Sequence, residues 1–340
     1  MGVNLRDLVV KKEVSLKEFS GKLLAFDAFN TIYQFLSAIR QPDGTPLMDS
    51  HGNITSHLSG LFYRTINLLE AGLKPVFVFD GEKPEIKKAT IEERMKAKEE
   101  AEEKWKEMLE KGEFEEAKKY AQAVNFLTEE MIEESKILLK AMGIPVVQAP
   151  SEGEAQAACM AKEGKVYAAA SQDYDALLFG SPLLARNLSI VGKKKIPGTH
   201  QYKEILPELI SLEETLNNLG ISYEQFVCLG IIVGTDYAPK GAEGIGPKKA
   251  LELVKIYKTP ENIAKAIKDK WTGEVDFLEI YRFFTNPVCT HEYDLTFKHP
   301  NVEAIKDLLV KKHEFSEERV NRALERLIEI KKKGTQKTLF

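Results

Sequence analysis

Pro75-Val76-Phe77-Val78-Phe79-Asp80 is an unbroken apolar run that ends directly on an acid. Three further runs have the same character: Leu23–Phe26 before Asp27, Ile144–Val147, and Val166–Ala170 before Ser171-Gln172-Asp173. None of them alternates apolar and polar residues as a half-exposed strand does, and helical patterns lie between them. The four runs therefore predict buried parallel strands joined by crossover helices, which is an α/β doubly wound core.

Length and composition indicate a globular protein. The chain has 340 residues, of which 43% are hydrophobic, so it is longer than one typical domain. No apolar stretch reaches the roughly 18 residues of a membrane span, and the first residues lack the pattern of a secretory signal. We expect a soluble cytoplasmic protein with no membrane partner.

The three cysteines, Cys159, Cys228 and Cys289, lie far apart and show no CxxC spacing. This spacing argues against a disulfide framework and against a zinc site, so we expect buried thiols.

The formal net charge of -4 disfavours a nucleic-acid partner, because phosphate binding usually needs a basic surface. A site rich in metal-binding acids distorts that count. Without the seven candidate ligands named next, the charge changes from -4 to +3, so the total does not exclude DNA.

Seven acids stand where strands or helices of the predicted core end or begin. They are Asp27, Asp80, Glu152, Glu154, Asp173, Asp175 and Asp236. Ligands of open α/β sheets bind outside the carboxyl ends of the strands, so these acids are expected to converge. Taken singly, each acid is more simply a turn former, a helix cap or a partner of the helix dipole. As a set without clustered histidine or cysteine, they favour two magnesium or manganese ions and phosphodiester hydrolysis.

From Glu82 to Lys119 the sequence is a run of Glu, Lys and Arg with few apolar residues. The frequent explanation for such a run is a solvated helical hairpin. The alternative is an arch that orders around a ligand, because Lys87, Arg94 and Lys98 recur on one side of a helix.

Gly244-Ile245-Gly246-Pro247-Lys248-Lys249-Ala250 is a glycine turn that opens a helix. Small glycines let backbone N–H groups approach a phosphate, and the two lysines add positive charge. In isolation an ordinary loop is an equal explanation. With the acids, the turn indicates a grip on a duplex backbone.

Several blocks resemble one family in the family's own order. They are Ile32–Leu36, Thr55–Leu58, Phe62–Thr65, Val78–Gly81, Ala149–Ala155, Ser171–Asp175, Gly234–Tyr237 and Gly244–Lys248. On these residues the chain is similar to flap endonucleases, particularly the archaeal form, over nearly its full length.

The resemblance implies a mostly parallel twisted sheet with helices on both faces, which is a PIN-like 5′ nuclease core, with a helical arch and a C-terminal helix-two-turn-helix region. It divides the chain into residues 1–81 (nuclease core with a DNA wedge), 82–140 (arch and return helix), 141–236 (nuclease core), 237–330 (helix-two-turn-helix region and C-terminal helices) and 331–340 (tail).

The resemblance also assigns roles to particular residues. The seven acids would hold two Mg²⁺ ions, for which Mn²⁺ can substitute, and K⁺ would bind at the glycine turn. Lys87 and Arg94 would stabilise charge at the scissile phosphate, and a base would stack on Tyr33. DNA contacts are implied for Gly2, Arg40, Thr55, Arg64, Lys194, Lys195, Gly244, Gly246, Lys248 and Lys249. Gln336, Leu339 and Phe340 resemble the start of a sliding-clamp motif whose terminal aromatic pair is absent.

The implied function is that of a structure-specific 5′ flap endonuclease with 5′-3′ exonuclease activity, acting on branched DNA in replication, Okazaki-fragment maturation and base-excision repair. We expect a monomer associated with the nucleoid of an archaeal cell. Two alternatives remain: a related 5′ nuclease for bubbles or four-way junctions, and a non-catalytic DNA-binding or clamp-associated module.

Overall fold

The computed structural model describes residues 3–41, 44–87, 127–189, 192–195 and 202–336, with isolated positions between 96 and 111. Among those isolated positions, residues 96, 100, 101, 103, 104, 107 and 108 are helical.

Nine strands are present in the described residues. Their bounds are β1 (Lys11–Glu13), β2 (Leu23–Asp27), β3 (Lys74–Phe79), β4 (Val146–Gln148), β5 (Ala168–Ala170), β6 (Leu183–Arg186), β7 (Gly192–Lys195), β8 (Tyr202–Ile205) and β9 (Glu208–Ser211). Strands β2 to β5 coincide with the four apolar runs of the sequence, which confirms the predicted strands.

Seven of these strands form one mixed, mostly parallel sheet in the order β1-β9-β6-β5-β2-β3-β4. Strand β5 pairs in parallel with β2 and with β6, while β9 pairs antiparallel with β6 and with β1. Strands β7 and β8 form a separate antiparallel pair. The α/β fold class is confirmed, with the antiparallel strands at one edge as an addition.

Twelve α-helices are present in the described part of the chain. They are α1 (Ala28–Ala38), α2 (Ser56–Glu70), α3 (Glu129–Ala141), α4 (Gly153–Lys162), α5 (Asp175–Leu178), α6 (Leu212–Leu219), α7 (Tyr223–Val233), α8 (Pro247–Tyr257), α9 (Pro260–Ile267), α10 (Phe277–Thr285), α11 (Val302–Lys306) and α12 (Glu317–Gln336). Ser222 shows how local sequence starts a helix, because its side chain accepts from the Gln225 N–H while the Gln225 side-chain oxygen accepts from the Ser222 N–H.

The chain forms two compact units, each with its own buried side chains. The first unit comprises residues 1–27, 78–91 and 148–293, and the second comprises 28–77, 92–147 and 294–340. Phe226 and Phe284 are fully buried in the first unit, and Phe62 and Leu138 in the second. In the first unit, alanines on α4 face the all-alanine strand β5, which lets this helix pack closely on the sheet.

The second unit contains a buried polar cluster around His313. Its Nδ1 lies 3.0 Å from Asp49 Oδ2, and its Nε2 lies 2.8 Å from Glu134 Oε1. Lys312 Nζ lies 2.6 Å from Glu134 Oε1, and His57 Nε2 lies 3.7 Å from Glu134 Oε2. The cluster connects three parts of the chain, which are the loop before α2, helix α3 and the segment before α12.

The structure corrects the cysteine prediction. Cys159 and Cys289 form a disulfide within the first unit at a sequence separation of 130, whereas Cys228 is a buried thiol as expected. The bridge attaches α4 to the segment after α10. Spacing could not reveal it, because the two thiols meet only through tertiary packing.

By length and apolar character, no single helix in the described part of the chain could cross a membrane. Helices α6 and α7, bent by 85°, meet that test only as a pair.

Candidate active site

The edge where the parallel strands of the first unit end carries most of the candidate acids. Asp27 is the last residue of β2, and Phe26 pairs with Ala170 in β5, so Asp27 and the residues after Ala170 leave the sheet side by side. Asp80 follows β3 directly. Glu152 is the N-cap of α4 and Glu154 lies in its first turn.

Glu154 and Asp175 each interact with several other acids of the group. Burial raises the pKa of Glu154 well above its usual range, and the charges of Asp175, Asp27 and Asp173 add to this. Burial, followed by the charge of Asp236, raises the pKa of Asp175 to about 7. The Ser171 hydroxyl donates to Glu154 Oε1 at 2.7 Å and the Val3 N–H to Asp175 Oδ1 at 2.8 Å, so each carboxylate has a fixed hydrogen-bond donor.

Asp80 and Glu152 form the other side of the group. Burial, followed by the charge of Glu152, raises the pKa of Asp80 to about 6. The Gly153 N–H donates to Asp80 Oδ1 at 2.8 Å, which favours the charged form and orients the carboxylate. Gly153 allows this approach, because a Cβ there would lie 2.7 Å from the same oxygen.

Lys87 brings positive charge into the group. It ends a 3₁₀ helix, Glu85–Lys87, and its Nζ lies 2.9 and 3.0 Å from the two oxygens of Glu152 and 3.7 Å from Asp236 Oδ2. Burial alone lowers the pKa of Lys87, but the carboxylates of Glu152 and Asp236 outweigh burial and raise it above its usual range. The ammonium therefore stays charged among the acids.

These contacts link all seven predicted acids into one electrostatic network within one unit. Among the described residues, no three acid, histidine or cysteine side chains are arranged to enclose a metal ion as they stand. The donor set nevertheless fits hard divalent cations, because it consists of carboxylate oxygens with no sulfur or imidazole. Neighbouring carboxylates add to the effect of burial in raising the pKa values of Asp80, Glu154 and Asp175, and bound cations would offset the charge of these carboxylates.

Tyr237 packs next to the acidic group. It belongs to the sequence block Gly234–Tyr237, but no role was predicted for it. It is 4% exposed, and its ring contacts Phe283 and Phe284 with centroids 4.8 and 5.4 Å away. Lys87 Nζ lies 5.7 Å from the centroid of the same ring. Packing on α10 thus fixes the turn that carries Asp236. The Val3 and Ser171 donors were also missed, and nothing in sequence marks a backbone N–H such as that of Val3.

The glycine turn lies in the same unit. Gly244 has φ +70°, which favours glycine, and Gly246 is the N-cap of α8. A Cβ built at either position meets nothing within 4 Å, and Lys248 and Lys249 are exposed. The backbone at this turn is therefore accessible from outside. Lys194 and Lys195 lie on β7, opposite Lys203 and Tyr202 of β8.

The second unit holds four more of the predicted site residues. Tyr33 is half-buried in α1, and Arg64 is exposed on α2. Arg40 Nη1 donates to Gly44 O at 2.9 Å, and burial lowers the pKa of its guanidinium. Thr55 is the buried N-cap residue of α2.

Seven predicted positions fall outside the described side chains. Gly2, Arg94, Leu339 and Phe340 lie outside the described residues. Lys194, Lys195 and Gln336 are described only by their places in β7 and α12.

Two sequence-family profiles match the chain. The XPG N-terminal domain matches residues 1–101 and the XPG I-region matches residues 143–236. The two matched regions contain all seven acids and Lys87.

Relatives match over the whole length. Flap endonuclease 1 of Pyrococcus furiosus is 58% identical over 339 residues, which cover 100% of this chain and 98% of the relative. Flap endonuclease 1 of Aeropyrum pernix is 54% identical, covering 96% of this chain and 94% of the relative.

Solved structures show the same fold. Flap endonuclease-1 from Methanococcus jannaschii superposes with a TM-score of 0.76 at 43% identity, covering 97% of this chain and 98% of that one. The catalytic core of Rad2 in complex with DNA substrate has a TM-score of 0.70 at 24% identity, covering 96% and 100% of the two chains. The second likeness concerns the fold alone.

Proposed function

Since the chain belongs to the flap endonuclease 1 family, we propose that it cuts DNA with two magnesium ions held by its seven converging acids. The nuclease is a hydrolase and a structure-specific flap endonuclease, with a role in DNA replication and repair. The single observation that carries the magnesium proposal is the network of seven carboxylates around Lys87, buried at one edge of the sheet.

We propose that the acids hold cations on two sides of the group. Among the charges that act on Glu154, that of Asp175 is the largest, followed by Asp27 and Asp173, while the largest charge effect on Asp175 is that of Asp236 and on Asp80 that of Glu152. When bound, a pair of divalent ions supplies an activated water and positive charge at the leaving oxygen. Manganese has the same preference for oxygen donors, so we propose that it substitutes.

Lys87 acts on the phosphate in this proposal. Its ammonium lies among the ligands and remains charged, so it can add positive charge where negative charge develops in the transition state. Burial of the group excludes water, which strengthens this interaction. Arg94 is proposed for the same role on the basis of the family resemblance, and Tyr33 for stacking on a base.

Selection of the branched substrate is assigned to residues outside the carboxylate network. The accessible backbone of Gly244 and Gly246, with Lys248 and Lys249, suits a duplex backbone. We propose that K⁺ binds at this turn, and that Gly2, Arg40, Thr55, Arg64, Lys194 and Lys195 contact DNA near a 5′ flap. A flap junction bends easily, since base stacking is already interrupted there.

Other family traits extend the proposal: 5′-3′ exonuclease activity, roles in Okazaki-fragment maturation and base-excision repair, and a monomeric state in the archaeal cytoplasm. A sliding clamp is the proposed partner of Gln336, Leu339 and Phe340. These assignments rest on the resemblance.

A double-flap DNA and Asp175→Ala test the assignment of the active site. We expect the wild-type protein with magnesium to cut just inside the junction, and Asp175→Ala to bind the same DNA without cutting it. Glu213→Ala, an exposed acid in the first turn of α6, is the matched control and should cut normally. Cleavage by Asp175→Ala at the wild-type rate contradicts the site, and a preference for a four-way junction favours the related nuclease class.

A further inference from the structure

Arg186, the last residue of β6, holds both neighbours of Asp173. Its Nε donates to the backbone oxygen of Gln172 at 3.0 Å, and its Nη1 donates to the hydroxyl of Tyr174 at 2.6 Å. The guanidinium also lies over the Tyr174 ring, 4.2 Å from its centroid. One side chain therefore fixes the residues before and after a predicted metal ligand.

Arg186 is itself held in place. Its Nη1 lies 2.9 Å from Glu208 Oε2, and the two residues are direct partners in the antiparallel pairing of β6 with β9. Lys11 Nζ lies 3.7 Å from the other oxygen of Glu208. The side chains of Arg186 and Glu208 are 16% and 15% exposed, so the pair is partly shielded from solvent. The guanidinium is thus a rigid support.

The segment that Arg186 holds needs such a support. It carries Asp173 and Asp175 on either side of Tyr174, and like charges this close in sequence repel each other. At the ends of the segment, the Asp173 N–H donates to Ser171 Oγ at 3.1 Å and the Val3 N–H donates to Asp175 Oδ1 at 2.8 Å, and both contacts oppose this repulsion.

We propose that Arg186 is a positioning residue that presents Asp173 and Asp175 to divalent cations by clamping Gln172 and Tyr174. The inference rests on the proposed metal-dependent function. Groups that orient ligands in this way set metal affinity nearly as strongly as the ligands themselves. The positioning role requires the planar guanidinium of Arg186, because a lysine ammonium cannot donate in two fixed directions and stack on a ring at the same time.

Metal binding without DNA is the direct test. Isothermal calorimetry with magnesium chloride is run on the wild-type protein, Arg186→Lys, Arg186→Met and Tyr174→Phe. We expect the two arginine variants to lose roughly 10- to 100-fold in metal affinity. Tyr174→Phe keeps the ring and loses the hydroxyl, so its loss should be smaller. Arg282→Lys, an exposed arginine of α10 in the same unit, is the matched control and should bind metal normally.

Kinetics separate positioning from general damage to the fold. The magnesium concentration for half-maximal cleavage of a double flap should rise in the arginine variants, excess magnesium should restore kcat, and KM for DNA should stay unchanged. Circular dichroism in EDTA verifies folding. If Arg186→Met does not fold, Arg186→Lys and Tyr174→Phe give the same comparison.

Two failures are distinguishable. If wild-type protein binds magnesium and cuts the flap, but folded Arg186→Lys and Tyr174→Phe have wild-type metal affinity, the positioning role of Arg186 is refuted and the proposed function stands. If wild-type protein neither binds magnesium nor needs it to cut, the proposed metal-dependent function fails.

Discussion

The ammonium of Lys87 lies 2.9 Å from one carboxylate oxygen of Glu152 and 3.0 Å from the other. Lys87 thus pairs with Glu152, which is itself a proposed metal ligand. The two residues lie 65 positions apart in the sequence. The arrangement keeps a positive charge among the proposed metal ligands.

Lys87→Ala should lower kcat roughly 100- to 1,000-fold, because a charge that acts mainly in the transition state is removed. Binding of a double flap should change little, since phosphate contacts elsewhere carry most of the affinity. Single-turnover cleavage and a fluorescence binding titration measure the two effects.

Lys17→Ala is the matched control for this change, as Lys17 is an exposed lysine of the same unit. It should cut close to the wild-type rate. A loss of affinity that accounts for the whole effect of Lys87→Ala would refute the role in the transition state.

Gly246→Ala should weaken DNA binding while the fold survives. The added Cβ meets nothing within 4 Å in the protein, and the residue has φ -83°, so the cost is that of a changed N-cap, about 1 kcal/mol. Loss of one close phosphate contact should reduce affinity roughly tenfold. Filter binding and thermal unfolding check the two expectations.

Lys248→Ala distinguishes charge from close approach at the same turn. It should reduce the slope of log affinity against log salt by about 0.9, whereas Gly246→Ala should leave that slope near the wild-type value. Lys17→Ala, an exposed lysine in the first unit, is the control. Unchanged affinity in both Gly246→Ala and Lys248→Ala would remove the glycine turn from the DNA surface.

Opening the Cys159–Cys289 bridge should destabilise the protein by roughly 2 to 5 kcal/mol, since it closes a long loop. Cys159→Ala and Cys289→Ala should each lower the free energy of unfolding. The double variant should cost less than the sum of the two, because either change alone already removes the bridge.

A thiol count gives an independent measurement. Unfolded without reductant, the wild-type protein should expose one reactive thiol, that of Cys228, and with reductant it should expose three. Three thiols without reductant would contradict the bridge. Additive costs of the single variants would show that the two cysteines act separately.

Glu134 should make the stability of the second unit sensitive to acid. Burial alone raises the pKa of Glu134, but His57, Lys312 and His313 outweigh it and lower the pKa to about 2. A carboxyl group with a depressed folded pKa stabilises the native state above its ordinary pKa of 4.5, and this contribution is lost as pH falls toward 2. Burial also lowers the pKa of His57 in the folded protein. As pH falls below the ordinary value of 6.5, His57 is therefore protonated first in the unfolded state, which further lowers the free energy of unfolding.

Glu134→Gln should therefore cost about 3 kcal/mol at pH 7, as one partner of a buried charged pair is removed. The difference from the wild-type protein should shrink as pH is lowered from 5 to 3 in chemical unfolding experiments. Glu133→Gln, its exposed neighbour, should have a much smaller effect. A difference that stays constant across this pH range would show that the Glu134 charge is not involved.

The strands that could be predicted are those buried on both faces, such as β2 and β3, because apolar runs signal them directly. Strand β1 could not, since Lys11–Glu13 is entirely exposed and polar, and it is a strand because it pairs with β9. The convergence of the acids followed from their positions after strands. The ion pair of Lys87 with Glu152 and the Cys159–Cys289 bridge depend on packing between distant segments, which local pattern does not encode.

Gly81 and Gly153 restrict how this nuclease can be altered. A Cβ at Gly81 would lie 2.2 Å from the backbone oxygen of Ala149, and one at Gly153 would lie 2.7 Å from Asp80 Oδ1. Neither atom lies at the end of a long flexible side chain, so even alanine would displace a ligand or the backbone that supports it. Random mutagenesis should therefore return no active variants at these two positions. Directed evolution toward other branched DNAs would therefore have to change residues other than Gly81 and Gly153.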